Sequence, residues 1–510
     1  MKTKSVGFAI VFMLVSIGLL LSGSATAATE GKVSIALTHD LTSLNPFKAR
    51  LGQDSNVYMA MFQTLFTWDT QKGTSVPCLA RSYQFAENHT DITVTLRKDA
   101  KFHNGEPVTA ADIRFSWQQF IDPQNANAYA KVFKSIKDIE VVDDNTLIVR
   151  LAKVNADWKG LFHRMFIGSK AHYDRVGADE FTKNPIGSGP FRFASRMIGE
   201  RIVLEAVQDH YMYPPDFKTL NFLIVPDEIT RMAMLEKGEV DLIFSIPSQQ
   251  VDRLKGNKKI HVKTAIVPSY YGLSFHTLNF DAVKDKHFRL AINYGINRQE
   301  IVEKIFLGMA HPLYIFGTQS EITYDPGFEY PYDPDKAKAL IQKSGYKPDT
   351  TITLTYHSLV PNAAQVAEAV QGYMKELGVS VELRQMEVGT YVSLARKKSK
   401  DLGAMTTTAW FGGQDPDVRL MMGVKSNGVY TQVPGRKDLD QLVDEQHITI
   451  DEKKRYQVVN QIYQIMYEDP PYVPLFGTPM IYATTDRIEY TWVNKVNRLF
   501  NLWEIKMVNK

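Results

Sequence analysis

Residues 362–383 read NAAQVAEAVQGYMKELGVSVEL, and a change of period inside them decides the fold class. After Asn362, apolar side chains recur three or four residues apart at Val366, Val370, Tyr373, Met374 and Leu377. That spacing lines one face of an α-helix. Gly378 supplies the residue that tolerates the left-handed turn closing such a helix. Directly behind it the apolar residues alternate, at Val379, Val381 and Leu383, the period of a strand with one buried face. A helix that runs into a strand without a linker is the mark of an α/β layer.

The same grammar extends through the second half. Asn297-Arg298-Gln299-Glu300 reads as a helix start ahead of Ile301, Val302 and Ile305, with Gly308 as the stop. Asp335 is expected to cap a helix carrying Ala337, Leu340 and Ile341, ended by Gly345. Thr449-Ile450-Asp451-Glu452 reads as a capping box for a helix bearing Tyr456, Val459, Ile462, Tyr463 and Met466. Pro470-Pro471 stops that helix before an apolar strand at 472–476. In the first half, alternation at Ile92, Val94 and Leu96, and at Leu147, Val149 and Leu151, predicts strands. The turn signal Asp143-Asp144-Asn145 makes them antiparallel. Between them Thr109 caps a helix with Ile113, Phe115, Trp117 and Phe120. No repeat and no low-complexity linker interrupts the chain, so its lobes must be joined by strands or short loops, an arrangement that hinges around a cleft.

Composition narrows the function classes. The chain has 510 residues, 44% hydrophobic and 23% charged, with a formal net charge of +3. This is a multi-domain globular chain, too near neutrality to offer an electrostatic footprint for nucleic acid. One cysteine, Cys78, excludes an internal disulfide and any Cys-rich metal cluster. The first residues form an export signal: Lys2 and Lys4, an apolar run from Val6 to Leu21, then small residues ending in Ala25-Thr26-Ala27. Cleavage is expected before Ala28. Leu21-Ser22-Gly23-Ser24 resembles a lipoprotein signal with serine in place of the essential cysteine, so no lipid anchor is expected. These features place the mature protein, unanchored, in the periplasm.

Catalytic motifs are missing. There is no Walker loop, no G-x-G-x-x-G after a strand, no H-E-x-x-H, no C-x-x-C and no G-x-S-x-G. Ser188 between Gly187 and Gly189 reads as a tight turn entering a strand. The 12 histidines are scattered. Asp415-Pro416-Asp417 reads as a helix cap in preference to a metal site. Aromatic residues beside Gly, Ser and Asn are more telling: Tyr270-Tyr271-Gly272, Trp410-Phe411-Gly412-Gly413 and Asn427-Gly428-Val429-Tyr430. Loops of this kind suit a pocket with flat apolar walls and a few orienting polar groups. The residues alone describe a secreted, two-lobed α/β binder.

Several segments, in order, resemble a known family. They include Leu44-Asn45-Pro46, YMAMFQTLFTWD at 58–69, Pro77-Cys78-Leu79-Ala80 and, most specific, FHNGEPVTAADI at 102–113. Farther on are Gly187-Ser188-Gly189-Pro190-Phe191, LEKGEVD at 235–241, the helix from Phe288 to Asn297-Arg298, Asp333-Pro334-Asp335-Lys336-Ala337, WFGGQDPD at 410–417 and Pro470-Pro471. In these the chain resembles the family 5 extracellular solute-binding proteins of ABC importers, the dipeptide, oligopeptide and nickel-binding group. The resemblance implies a two-lobed type II periplasmic-binding fold of α/β class with an extra subdomain in the first lobe. Lobe I is then 28–52, 184–267 and 483–510, the extra subdomain 53–183, and lobe II 268–482. It implies a monomeric receptor, not an enzyme, that needs no cofactor. It would enclose a small-molecule or short-peptide ligand and pass it to an inner-membrane permease and its ATPase.

The ligand loop departs from the family pattern. Dipeptide and oligopeptide binders carry an aspartate that pairs with the peptide's amino terminus. Here the loop is one residue shorter, and Gly413 falls where that carboxylate would be. A buried ammonium without its partner costs several kcal/mol, which argues against common dipeptide recognition. Trp410 is the first candidate for the ligand wall, with a core role as the alternative. Arg419 is expected to hold a carboxylate or to lie on a helix surface, and Asp415 to bind the ligand or cap the helix. Tyr430 and Tyr271 complete the candidate set, with no metal ligand among them. The expected solute is peptide-like or opine-like. Alternatives are a nickel chelate (with His276 and His357 as the nearby imidazoles), haem or an oligosaccharide, and, from another class, a secreted hydrolase.

Overall fold

A computed structural model describes residues 31–49, 54–69, 74–127, 129–318, 321, 327–359, 362–411, 415–433, 435–477, 479–491 and 500–508. The expected export signal and Gly413 lie outside the described residues.

Residues 362–383 fold as their period dictates, into helix Ala363–Glu376 and strand Ser380–Gln385. Val366, Val370 and Met374 are fully buried, and Gly378 takes a left-handed φ of +81°. The strand lies parallel to Thr351–Tyr356, which in turn lies parallel to Met405–Phe411. Antiparallel Ser269–Phe275, Tyr472–Gly477 and His311–Pro312 complete a six-stranded sheet. The two faces of this sheet are read off one strand. Tyr271, Leu273 and Phe275 point to a core that also takes Phe288, Ile301 and Val366 from three helices. Tyr270, of opposite parity, joins a second core with Leu420, Val443, Val459 and Ile462. Strand alternation thus assigns successive residues to different helical layers.

The other lobe is built on a seven-stranded sheet in the order Ile260–Ile266, Pro479–Thr485, Leu242–Phe244, Lys32–Leu37, Thr219–Ile224, Arg201–Ala206, Phe191–Met197. Alternation again splits the faces: Val33 and Ile35 enter one core and Ala36 the other. A four-stranded antiparallel sheet from Ala80–Phe85, Asp91–Leu96, Ile136–Asp143 and Thr146–Leu151 packs with helix Ala110–Ile121 against the same large core. Its Asp143-Asp144-Asn145 turn is closed by Asn145 N–H donating to Asp143 Oδ1 at 2.8 Å.

Two strand-to-strand passages join the lobes. Val267 and Pro268 alone separate Ile260–Ile266 from Ser269–Phe275, and residue 478 alone separates Tyr472–Gly477 from Pro479–Thr485. The passages run side by side, with Ile266 opposite Pro479 and Tyr271 opposite Phe476. The chain therefore re-enters the first lobe's sheet at Pro479, ahead of the expected boundary at 483, because that strand is continuous from there to Thr485.

Two caps differ from expectation. Asp333, not Asp335, accepts the Lys336 N–H at 2.9 Å, since Pro334 occupies the first helical position and needs no acceptor. Thr449 donates back to Glu445 O at 2.7 Å and closes helix Lys437–Ile448, leaving Asp451 to accept from Lys454 N–H at 2.9 Å. Ser188 is 1% exposed. Its glycine neighbours allow close approach: a Cβ at Gly187 would sit 2.1 Å from the Met61 carbonyl oxygen, and one at Gly189 2.6 Å from that of Ala60. This turn has the geometry of packing and offers no open nucleophile. Cys78 is a buried free thiol pushed up to about 12 by desolvation. Among the described residues no helix is long and apolar enough to cross a membrane.

Candidate functional site

The second face of the lobe II sheet carries a cavity of about 290 Å³. Its floor comes from strand periodicity: Thr406, Thr408 and Trp410 lie two apart on one strand, with Ser274 on its antiparallel neighbour and His276 just past that neighbour's end. Helix Val388–Arg396 covers one side with Tyr391, Val392 and Ala395, and helix Asp417–Gly423 the other with Val418 and Met422. Each set follows the i, i+4 spacing of a helix face. Tyr430 and Gln432 close the far wall, and Leu359 stands at the loop before Asn362.

Packing holds these walls in place. Trp410 meets Phe316 edge-on at 5.6 Å and Tyr430 at 5.7 Å between ring centroids. Its ring lies against helix Asp417–Gly423 only because residue 423 is glycine; a Cβ there would stand 2.9 Å from Trp410 Cζ2. Gln432 Nε2 donates to Ala395 O at 3.1 Å, which ties the far wall to the covering helix. His276 Nε2 lies 3.1 Å from Thr406 Oγ1, and burial pushes this imidazole down to about 3, so it is neutral at physiological pH.

The structure brings together two of the five sequence candidates. Trp410 and Tyr430 pack edge-on against each other and both line the cavity. Tyr271 sits on the opposite face of its strand, fully buried against Phe476 at 4.9 Å between centroids. Arg419 is neither on the surface nor in the cavity. It is buried, ion-paired with Glu321, and donates to Phe316 O at 3.1 Å and Tyr463 Oη at 3.0 Å. Asp415 is likewise committed: it forms an ion pair with Arg455, accepting from Nη2 at 2.6 Å, and accepts the Asp417 N–H at 2.9 Å. Of its two anticipated roles, this geometry is that of the cap. His357 is fully buried beside Tyr391, with Nε2 3.1 Å from Thr407 O, and burial lowers it to about 4. Among the described residues no three metal-ligating side chains converge. Sequence reading missed Tyr391, Val392, Met422 and Gln432, which carry no motif; only the parity of the sheet and the helix that covers it single them out.

Lobe I offers a smaller pocket of about 80 Å³. Thr38 and His39 follow strand Lys32–Leu37, and Ser245 follows Leu242–Phe244, so the pocket sits past the carboxyl ends of parallel strands, where α/β sheets bind ligands. Ser245 has a left-handed φ of +60°, strain of a kind that clusters at binding sites. Asp54, 1% exposed, accepts from Thr42 Oγ1 at 2.5 Å beneath His39. Among the described residues, two hydrogen-bond contacts outside the hinge illustrate how the lobes touch. Ala156 N–H donates to His447 O at 2.8 Å, and Gln249 Nε2 lies 3.5 Å from Asn362 Oδ1.

The family model for bacterial extracellular solute-binding proteins, family 5 (middle region), matches residues 74–431. The chain belongs to this family. It is similar to the glutathione-binding protein GsiB of Salmonella typhimurium, 25% identical over 495 residues that cover 94% of this chain and 96% of that one. In fold it matches DppA of Helicobacter pylori, solved with the peptide STSA, with a TM-score of 0.75, 22% identity and 94% and 98% of the two chains covered. It also matches NikA of Brucella suis, solved with Fe(III)-EDTA, with a TM-score of 0.83, 19% identity and 93% and 99% covered.

This family 5 protein is a solute receptor of an ABC importer, a binding protein and not an enzyme. It binds a peptide or small molecule and works with an inner-membrane permease and its ATPase. The hinge passages, the lobe II cavity and the lobe I pocket are the parts such a receptor needs. Two lobes that share a ligand stabilise the closed arrangement selectively.

Proposed function

We propose that this receptor captures a peptide-like or opine-like solute between lobe I (28–52, 184–267 and the carboxyl-terminal return) and lobe II, with Trp410 and Tyr430 as its aromatic wall. The observation that carries this reading is the edge-on packing of those two rings, both of which line the 290 Å³ cavity. Glutathione, the ligand named for GsiB, and STSA, the ligand named for DppA, are both peptide-like, which supports the class. The shortened loop at Gly413 and the commitment of Arg419 to Glu321 argue that the termini of an ordinary dipeptide are not gripped here in the usual way. Asp415, Arg419 and Tyr271 then serve the site by holding its frame. The mature protein works as a monomer in the periplasm, cleaved after Ala27 and without a lipid.

A nickel or iron chelate is the second reading, favoured by one observation: His276 borders the cavity and is held neutral, the state a metal requires. One screen separates the two. The mature protein is unfolded and refolded to strip bound solute, then scanned for thermal shift against di- to pentapeptides, opines, oligosaccharides, haem and nickel with histidine. A ligand at ~100 times its Kd adds about 2.7 kcal/mol, enough to raise Tm by several degrees. A shift confined to peptides or opines is the expected result. A shift with the nickel complex alone would replace the proposal with the chelate.

A further inference from the structure

The cavity's lining carries information about the part of the solute that enters it. Among the described residues no Asp, Glu, Lys or Arg lines the cavity. The charged groups of the surrounding frame are already committed: Arg419 to Glu321, Asp415 to Arg455, and Asp417 to His447. Arg396 reaches only the exposed side of the wall, where its Nε donates to Tyr430 Oη at 3.3 Å. The imidazole that borders the floor, His276, stays neutral across the physiological range. Most of the remaining lining is aromatic or aliphatic: Tyr391, Trp410 and Tyr430 with Val392, Val418 and Met422. Three buried polar atoms of the described lining residues lack a hydrogen-bond partner: Nε1 of Trp410, a donor, Oε1 of Gln432, an acceptor, and Nδ1 of His276. A charge entering such a space leaves water and meets no counter-charge. A neutral group loses little, and one with a polar handle satisfies a donor or acceptor otherwise left empty.

We propose that the lobe II cavity receives an uncharged, largely apolar end of the solute, a ring or branched group with at most a neutral polar handle, and rejects its charged counterparts. Met422, Val392 and Gln432 are on this view the residues that set specificity. The inference rests on the receptor reading above and narrows its solute class.

Ring-sized fragments test the cavity whatever the full solute is. The mature protein, labelled with ¹⁵N at its indoles, is titrated with benzamide, 4-methylphenol, benzoate and benzylammonium. The readout is the Trp410 indole N–H resonance, identified by its loss in Trp410→Phe. Benzamide and 4-methylphenol are expected to shift it, and the two ions to need concentrations at least on the order of 100-fold higher. Ala395→Trp, which fills the cavity, should abolish the benzamide response while far-UV circular dichroism stays unchanged. Should that variant fail to fold, Met422→Lys serves instead and should bring benzoate level with benzamide or ahead of it. An ion that binds within tenfold of benzamide, or silence from all four fragments, overturns the proposal. Failure of the receptor reading looks different: the solute panel gives no thermal shift while discrimination among fragments persists.

Discussion

The segment from Trp410 to Gln432 presents two sides built from opposite materials. Toward the cavity it shows Trp410, Val418, Met422, Tyr430 and Gln432, none of them charged. Away from the cavity it buries Asp417 and Arg419 and ties Asp415, Asp417 and Arg419 to partners on other elements. The one short helix Asp417–Gly423 carries both materials, Val418 and Met422 on the first side and Asp417, Arg419 and Leu420 on the second. The lesson is that charge in this lobe holds the frame, while the cavity is left neutral. An ion pair in the interior is costly to break and fixes orientation, so it suits a wall that must not move. A receptor that releases its cargo to a permease is better served by contacts that are broad and individually weak.

The largest expected effect lies on the charged side. Arg419→Ala strands Glu321 in the interior and should cost about 3–5 kcal/mol of stability in urea unfolding. The double variant Arg419→Met with Glu321→Leu should recover most of that loss. If Arg419→Ala kept its stability and lost only solute binding, the division between frame and binding face would collapse. On the neutral side, Trp410→Ala should weaken binding of the solute identified by the thermal screen by about 2–4 kcal/mol, read by calorimetry, with the fold retained. Unchanged affinity would remove Trp410 from the wall.

Two titratable residues near the lobe contact should respond to pH with separable signatures. The Asp417 hydrogen bond raises the pKa of His447, so its contribution is fully present below the unfolded imidazole's pKa and is lost as pH rises through the raised value. His447→Gln should therefore cost about 1.5 kcal/mol at pH 5.5 and less at pH 9. Burial, with the nearby charges of Asp415 and Asp417, raises Asp157, against the lowering by Arg164 and Arg455. Its ionised form disfavours the fold, and that penalty grows as pH climbs from the unfolded carboxyl's pKa through the raised one. Asp157→Asn should raise Tm at pH 7 and leave it unchanged at pH 3; an equal gain at both would show that charge is not the cause. The smallest effect is expected at Tyr430→Phe, which deletes an exposed hydrogen bond from Arg396 and keeps the ring beside Trp410. A change beyond about 0.5 kcal/mol in either stability or affinity would give the hydroxyl a role the neutral wall does not need.

Much of the fold was legible because its causes are local. The helix-to-strand passage at 362–383 needed only period and a glycine, and the turn at Asp143-Asp144-Asn145 only its own side chains. The misplaced caps show the limit of local reading: at 333–335 and 449–452 two residues each had capping chemistry, and which one served depended on where the neighbouring helix ended. The site was half legible. Trp410 and Tyr271 looked alike, as aromatics near small or polar residues, yet strand parity sent one to the cavity and the other to the core. Helix Val388–Arg396 supplies a whole wall and was invisible, because VGTYVSLAR carries no residue pattern that distinguishes a cavity cover from any surface helix.

Periods of two and of about four, the glycines of tight turns and the collinear family segments are properties of neighbouring residues, and they settled the α/β class, the hinge style of connection and the receptor family. Partnership over distance is another matter. Asp415 meets Arg455 across 40 residues, Arg419 meets Tyr463 across 44, and Gln432 meets Ala395 across 37. Each of these residues has several chemically acceptable partners in the chain, and only the packing of three helices on one face of the sheet selects among them. That selection turned Arg419 from a plausible ligand anchor into a girder, and left the space beside Trp410 without a charge.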